Sequence, residues 1–578
     1  MISYRVELAD PHSHHYRVTL TLPQPAALQR MSLPVWIPGS YMVREFGRHL
    51  SRLEARQGSR SIALEQLDKT TWQAACKGRA ALVLSYLVYA FDTSVRTAWL
   101  DADRGFFNAT SLALRVEGRE HEPHRIELGP LPRGWEIATA MRSLGPRRFE
   151  AADYDELVDH PFELASFWRG SFNAGGAAHE FVVTGAWPGF DGERLLADTR
   201  RVCEAQIAFW HGPKGPPPFK RYVFLLNAVD DGYGGLEHRA STALICARRD
   251  LPRRGQAAAG EGYQTLLGLI SHEYFHAWNV KRLKPRELGR IDYTRENHTP
   301  LLWFFEGFTS YYDDLLLLRA GLIDVPRYLG LLAKAINGVQ ATPGRQVQSL
   351  AASSFDAWVK YYRADENTPN ATVSYYVKGS LAALALDLTL RSEGRGSLDD
   401  VMRALWQLRR DENGGGAIGE DDILRALQSV GGRAYTRELA AWIHGTDELP
   451  LAPLLAAAGI TLRHDKTALA LALGLRLSEG PLSGVQVKSV LAGGAAARAG
   501  VSAGDELLGV EGWRIRRLDD AQQWVTNGQP FELLLSRDQR LRTLRVQPDA
   551  QPSTTVALAL AEKPTQAASA LRRGWLGA

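Results

Sequence analysis

Cysteine is scarce in this chain: Cys76, Cys203 and Cys246 are the only three in 578 residues. Their odd number and wide separation exclude a disulfide framework, and without a CxxC pair no thiolate metal site is expected. Charge of one sign is missing too. The net charge is +4, with Arg and Asp/Glu interspersed throughout, so the basic face or tail of a nucleic-acid binder is absent and no nucleic-acid partner is expected. No run approaches the about 18 apolar residues of a membrane-spanning helix; the apolar stretch Leu381–Leu390 is too short and carries Asp387. The opening segment, MISYRVELADPHSHHYRVTLTL, lacks the basic start, apolar centre and small-residue cleavage site of a secretory signal. A soluble, cytoplasmic protein without a membrane partner is therefore expected. Long repeats and low-complexity blocks are absent.

What is present is an ordinary globular composition, 45% hydrophobic and 23% charged, over a length that calls for roughly three or four domains. Residues 1–165 alternate with period two in SYRVEL, HYRVTLTL, ALVLSYLVYAF and SLALRVEG, which predicts an antiparallel β domain. Residues 166–450 begin with strand-like runs (HEFVVTGA, KRYVFLLNAV, STALICAR) and continue with helical ones, the pattern of an α+β domain with a mainly helical C-terminal part. The expected helices cover 262–280, 300–319, 326–337, 374–391, 398–409 and 420–430. Residues 455–548 return to short strands, and 549–578 read as a weakly structured tail.

The densest chemistry lies in Ser271-His272-Glu273-Tyr274-Phe275-His276. Two histidines four residues apart on a helix project from one face, so both imidazoles can reach one Zn²⁺. Glu273, directly after the first histidine, is placed to take a proton from a water held there. A catalytic zinc needs a third protein ligand and an open position. Glu306, separated from His276 by 29 residues and set in LLWFFEGFTSYY, is an acid among aromatic residues, where a carboxylate needs a cation or strong donors. The predicted centre is one Zn²⁺ on His272, His276 and Glu306.

HEYFHAWNVKRLKP and LLWFFEGFTSYY, with WIPGSYMVREF near the start, resemble the glycyl aminopeptidase family of zinc metallopeptidases, within the thermolysin-like, glutamate-ligand zincins. The resemblance implies a β N-terminal domain, a thermolysin-like catalytic domain at 166–450 and a PDZ domain at 455–548. It also implies an aminopeptidase that acts on peptides with a free N-terminus and removes small first residues such as Gly or Ala.

Two further segments acquire roles through the resemblance. Asp231-Gly232-Tyr233-Gly234-Gly235-Leu236-Glu237-His238 is similar to a segment whose glycines (here Gly234 and Gly235) let backbone approach the substrate and whose glutamate, Glu237, binds the free α-amine. By its residues alone it could instead be a Gly-rich hairpin turn with a solvated glutamate. Ser374-Tyr375-Tyr376-Val377-Lys378-Gly379 resembles the segment whose tyrosine hydroxyl, here Tyr376, donates to the developing oxyanion, with Ser374 as helix N-cap. Near the C-terminus Gly474-Leu475-Arg476-Leu477 precedes GVQVKSVLAGGAAARAGVSAGDELLGVEG. This is similar to a PDZ domain, whose corresponding loop takes a peptide C-terminus.

Other clusters are weaker. His12, His14 and His15 fall on alternating faces of an expected strand, which suits a solvated edge. Tyr41, Arg44 and Glu45 could line the substrate entrance or serve domain packing. Lys281, Arg282 and Lys284 suit the C-terminal end of the zinc helix. A PDZ-directed endopeptidase and a catalytically inactive PDZ peptide-binding scaffold are the competing readings. The complete set His272, Glu273, His276, Glu306 and Tyr376 argues against the scaffold.

Overall fold

The structure, a computed structural model, describes residues 1–256, 258–411, 416–466, 468–526, 528–549 and 554–577, leaving aside the side chains of 409–411. The chain packs into two compact units, Met1–Asn297 with Leu408–Ala417, and His298–Gln407 with Ile418–Ala578.

In the first unit the period-two segments form sheets. An eight-stranded sheet runs in spatial order through Arg142–Gly145, Arg148–Ala151, His124–Leu128, Ile2–Asp10, His15–Leu22, Leu82–Tyr89, Leu50–Gln57 and Arg60–Ile62. Inward residues meet across it: Tyr16, Val18, Leu20 and Leu22 face Val88, Tyr86, Leu84 and Leu82, and all eight are buried. This is the alternation that one covered face imposes. One pair, Ile2–Asp10 beside His124–Leu128, is parallel, which corrects the expectation of a wholly antiparallel domain. A long crossover brings the chain back to its first strand, a connection that hairpins cannot supply.

A mixed five-stranded sheet follows, in the order Trp168–Ala174, Ala177–Thr184, Arg221–Val229, Ser241–Ala247, Tyr233–Glu237. Its two central ladders are parallel. Helix Gly192–His211, which the sequence reading did not anticipate, provides one crossover. It is capped by Asp191, whose side chain accepts from Arg194 N–H. Strand Arg221–Val229 is buried at nearly every position, as expected for a parallel strand covered on both faces. Gln206 Nε2 donates to Ser271 O at 2.7 Å and ties this helix to helix Glu261–Phe275.

The second unit is helical and carries a small β module. Helix Val377–Ser392 is buried along most of its length. Its backbone touches that of helix Gly307–Arg319, where a Cβ on Gly307 would lie 2.6 Å from Gly379 Cα. The module's sheet runs Leu475–Gly480, Gly484–Val490, Glu506–Val510, Phe531–Arg537, Arg540–Val546. The expected weakly structured tail is corrected. Thr554–Leu560 pairs antiparallel with Ile460–Lys466, and Gln566–Leu576 is a helix with Trp575 fully buried. Its apolar residues recur at helical spacing and find a groove to fill, which composition alone conceals.

All three cysteines are buried and free. Among the described residues no helix is long and apolar enough to cross a membrane.

Candidate metallopeptidase site

The HExxH segment occupies the last turn of helix Glu261–Phe275. His276 is its C-cap, so the expected continuation to Val280 does not form. The chain turns back instead, with the N–H groups of Ala277, Trp278 and Asn279 donating to Tyr274 O, Phe275 O and Phe275 O. This turn brings Asn279 O to 2.6 Å from His276 Nδ1. A carbonyl only accepts, so Nδ1 carries the proton and Nε2 keeps a lone pair, the tautomer a metal requires. The His272 and His276 rings stand nearly perpendicular, with centroids 4.7 Å apart. Tyr274 fixes the opposite face: it is fully buried, stacks on Phe224, meets Tyr222 and Trp278 edge to face, and its hydroxyl meets His179 Nε2 at 2.8 Å.

The glycine-rich segment is a strand, Tyr233–Glu237, at the edge of the five-stranded sheet. Glu237 at its end is only 4% exposed, which removes the solvated-turn alternative. Gly235 lies against the zinc-motif helix: a Cβ there would stand 2.1 Å from Glu273 Oε1, so any other residue would displace that carboxylate. Arg96 Nη2 donates to Gly235 O at 3.0 Å and holds the strand from the N-terminal segment. Gly39, inside WIPGSYMVREF, makes a second close approach. Its φ of +92° is one that L side chains avoid, and its Cβ would lie 2.4 Å from Glu237 Oε1. Neither Arg96 nor Gly39 was singled out by sequence; an X-Pro-Gly turn was the sole signal for the latter. No hydrogen bond or ion pair reaches the Glu237 carboxylate among the described residues.

In the second unit Glu306 is 2% exposed. The single helix expected over 300–319 is two, Leu302–Phe305 and Gly307–Arg319, joined at Glu306. Glu306 N–H still donates to Leu302 O, and its own carbonyl accepts from Ser310 N–H. Tyr376 immediately precedes helix Val377–Ser392 and occupies its N-cap position, not Ser374 as expected; Ser374 lies two residues further out, where its Oγ accepts from Val377 N–H at 3.2 Å. The Tyr376 hydroxyl lies 3.2 Å from that of Tyr362. Burial and the nearby Glu306 carboxylate push the Tyr376 phenol well above its ordinary value, so it is a proton-bearing donor at neutral pH. The Gly307–Gly379 crossing, also unforeseen, lets the two segments carrying Glu306 and Tyr376 approach.

Among the described residues two groups of His, Cys, Asp or Glu offer ligand atoms all within 4.8 Å of one another: His272, His276 and Glu306, and Glu237, Glu273 and His276. Two imidazoles and one carboxylate are a donor set suited to catalytic zinc. The second group has a single imidazole and two carboxylates. His12, His14 and His15 belong to neither; His14 stacks on Phe91 instead.

Residues 3–166 match the Peptidase M61 N-terminal domain, 265–382 the M61 glycyl aminopeptidase and 486–537 a PDZ domain. A solved aminopeptidase N family protein from Idiomarina loihiensis is 35% identical, with a TM-score of 0.93 and full coverage of both chains. This chain belongs to the M61 glycyl aminopeptidase family. It is a metallopeptidase with a β-rich N-terminal domain, a largely helical region beyond it and a C-terminal PDZ domain. An M1 zinc metallopeptidase from Deinococcus radiodurans is 14% identical, covering 78% of this chain and 94% of its own, with a TM-score of 0.48. No curated protein matches.

In this M61 chain a cavity of about 70 Å³ adjoins the Glu237 strand, lined by Trp36, Gly39, Tyr41, Glu237, His238 and Lys281 among others. Tyr41 therefore reaches it. Arg44 and Glu45 do not: Arg44 Nη2 donates to Ser40 Oγ, and Glu45 pairs with Lys69. Lys281 Nζ is 2.8 Å from Asp159, and Arg282 donates to Ala277 O and Arg239 O. In the PDZ domain the segment Gly474–Leu477 leads into an edge strand. Gly474 N–H already donates to Leu471 O, and Arg476 Nη2 donates to Thr342 Oγ1 at 3.0 Å.

Proposed function

We propose that the protein is a zinc aminopeptidase that removes small N-terminal residues, glycine or alanine, from peptides. Glu237 carries this reading. A carboxylate so buried, with no hydrogen bond or ion pair among the described residues, is expensive unless a cation meets it, and its oxygen lies within 4.8 Å of ligand atoms of Glu273 and His276. A peptide's α-ammonium is the cation that belongs beside a scissile bond. An anchor this close to the catalytic group leaves room for one residue before the cleaved bond, which makes the enzyme an exopeptidase.

His272, His276 and Glu306 would hold one Zn²⁺, which supplies Lewis-acid polarisation of the substrate carbonyl and lowers the pKa of water towards ~7. The chain's own groups do the rest. Glu273 takes the proton from the attacking water and later delivers it to the leaving amine. Tyr376 donates its O–H to the oxygen on which negative charge develops, and Tyr362 orients that hydroxyl. Gly235 keeps a place for the Glu273 carboxylate. Glu237 orients the substrate through its ammonium. The PDZ domain would take peptide C-termini along the edge strand Leu475–Gly480.

Glu237→Gln retains shape and removes charge. It should lower kcat/KM for glycyl substrates about a hundredfold, while N-acetylated peptides stay uncut by wild type and variant alike. Steady-state assays on paired free and N-blocked peptides check this. Equal cleavage of both by wild type would favour the PDZ-directed endopeptidase. Gly235→Ala, whose methyl would collide with Glu273, should lower kcat about a hundredfold in a folded protein with undiminished zinc content. Unchanged kcat would remove Glu273 from its assigned place.

A further inference from the structure

The residue after the amine anchor is buried, polar and without a function so far. His238 is 1% exposed, and its Nδ1 lies 3.5 Å from Asp159 Oδ1. The Asp159 carboxylate also receives Lys281 Nζ at 2.8 Å and the Arg239 N–H at 2.9 Å. Burial pushes the Asp159 carboxyl up, but Lys281, His238 and Arg239 outweigh it and hold the group well below the usual carboxylate range. A carboxylate accepts only, so the proton of the neutral His238 ring sits on Nδ1 and Nε2 is bare. Burial keeps that ring below its ordinary value, against the pull of Asp159. Nε2 is buried, finds no hydrogen-bond partner among the described residues, and belongs to a residue that lines the same cavity as Glu237. Other polar groups there are spent: Trp36 Nε1 donates to Asp292 O at 2.8 Å and Tyr293 OH to Asp155 Oδ1 at 2.7 Å.

We propose that His238 is a second acceptor for the substrate's α-ammonium, its Nε2 taking an N–H that Glu237 leaves unused. The inference rests on the assignment of Glu237 as amine anchor. An ammonium has three N–H donors, and a pocket that satisfies them with a carboxylate and a neutral imidazole selects a primary amine over its methylated forms. The Asp159–Lys281 pair holds the ring in the tautomer this requires, as a buried carboxylate does for other functional imidazoles.

The test uses the full-length, zinc-loaded enzyme with glycine 4-nitroanilide and its N-methyl and N,N-dimethyl analogues. His238→Leu should raise KM for the primary amine about ten- to a hundredfold with kcat little changed, because the bond is present in ground and transition states alike. It should also flatten the wild-type preference for the primary amine over the dimethylated one. His238→Asn keeps a donor for Asp159 while withdrawing the acceptor from the cavity, so it should behave in the same way even if the leucine variant does not fold. Unchanged KM in the folded variant, or a fall in kcat with the methylation preference intact, would overturn the inference. Wild type that cleaves N-acetylglycine 4-nitroanilide as readily as the free amine refutes the Glu237 reading itself. An amine-dependent wild type with an indifferent His238 variant refutes this step alone.

Discussion

Glu273→Gln is expected to lower kcat by about 10³- to 10⁴-fold while the protein keeps its zinc and its fold. The exchange is nearly isosteric, so the side chain still fills the space that Gly235 leaves for it. Glu273 is not one of the three proposed ligands, and its amide replacement should leave metal content at one equivalent. What is lost is the only property the mechanism asks of it, a carboxylate that takes a proton from water and returns it to the leaving amine. Metal analysis beside single-turnover kinetics separates the outcomes. Near-normal turnover would sink the general-base assignment, and loss of zinc with loss of activity would make Glu273 a ligand instead.

The second large effect concerns stability. Trp575→Ala should destabilise the protein by about 3–5 kcal/mol, since the indole is fully buried against Tyr328 and helix Gly307–Arg319. The indole also closes a polar network. Trp575 Nε1 donates to Tyr311 OH at 2.9 Å, and Tyr311 donates to Asp387 Oδ2 at 2.6 Å. Arg391 Nε meets Asp387 Oδ1 at 2.9 Å. Arg319 and Arg391 donate to the carbonyls of Trp575 and Gly574. The terminal helix thereby fastens helices Gly307–Arg319 and Val377–Ser392, which begin beside Glu306 and Tyr376. Trp575→Phe keeps most of the apolar burial but withdraws the donor, at about 1–3 kcal/mol. Denaturant midpoints at fixed zinc concentration measure both. An alanine variant as stable as wild type would show that the terminal helix is not fastened as described.

That fastening explains an error of sequence reading. Residues 549–578 contain Pro, Gln, Ser and Thr and few large apolar residues, so nothing local demands order. The strand Thr554–Leu560 exists because Ile460–Lys466 offers it an edge, and the helix because a groove receives Trp575. The missed helix Gly192–His211 differs in kind: Asp191 as cap and apolar residues at helical spacing were readable. The zinc-motif helix was drawn too long because the apolar period continues past Phe275, whereas the turn at Ala277–Asn279 answers the need of His276 for a carbonyl.

Residue identity and short-range spacing were enough to point to the β-rich start and to nominate His272, His276 and Glu306 as ligands and Glu273 as base, while the PDZ domain entered through resemblance. The 3.6-residue and two-residue periods and the four-residue histidine spacing are local properties of the chain. Only tertiary structure decided that Glu237 is buried with no hydrogen bond or ion pair among the described residues, that Gly39 and Gly235 make room for two carboxylates, that Gly307 and Gly379 let two helices touch, and that His238 lines the same cavity. Each of these is a relation between segments far apart in sequence, fixed by close packing and by the cost of leaving a buried polar group unmet, and no local pattern encodes it.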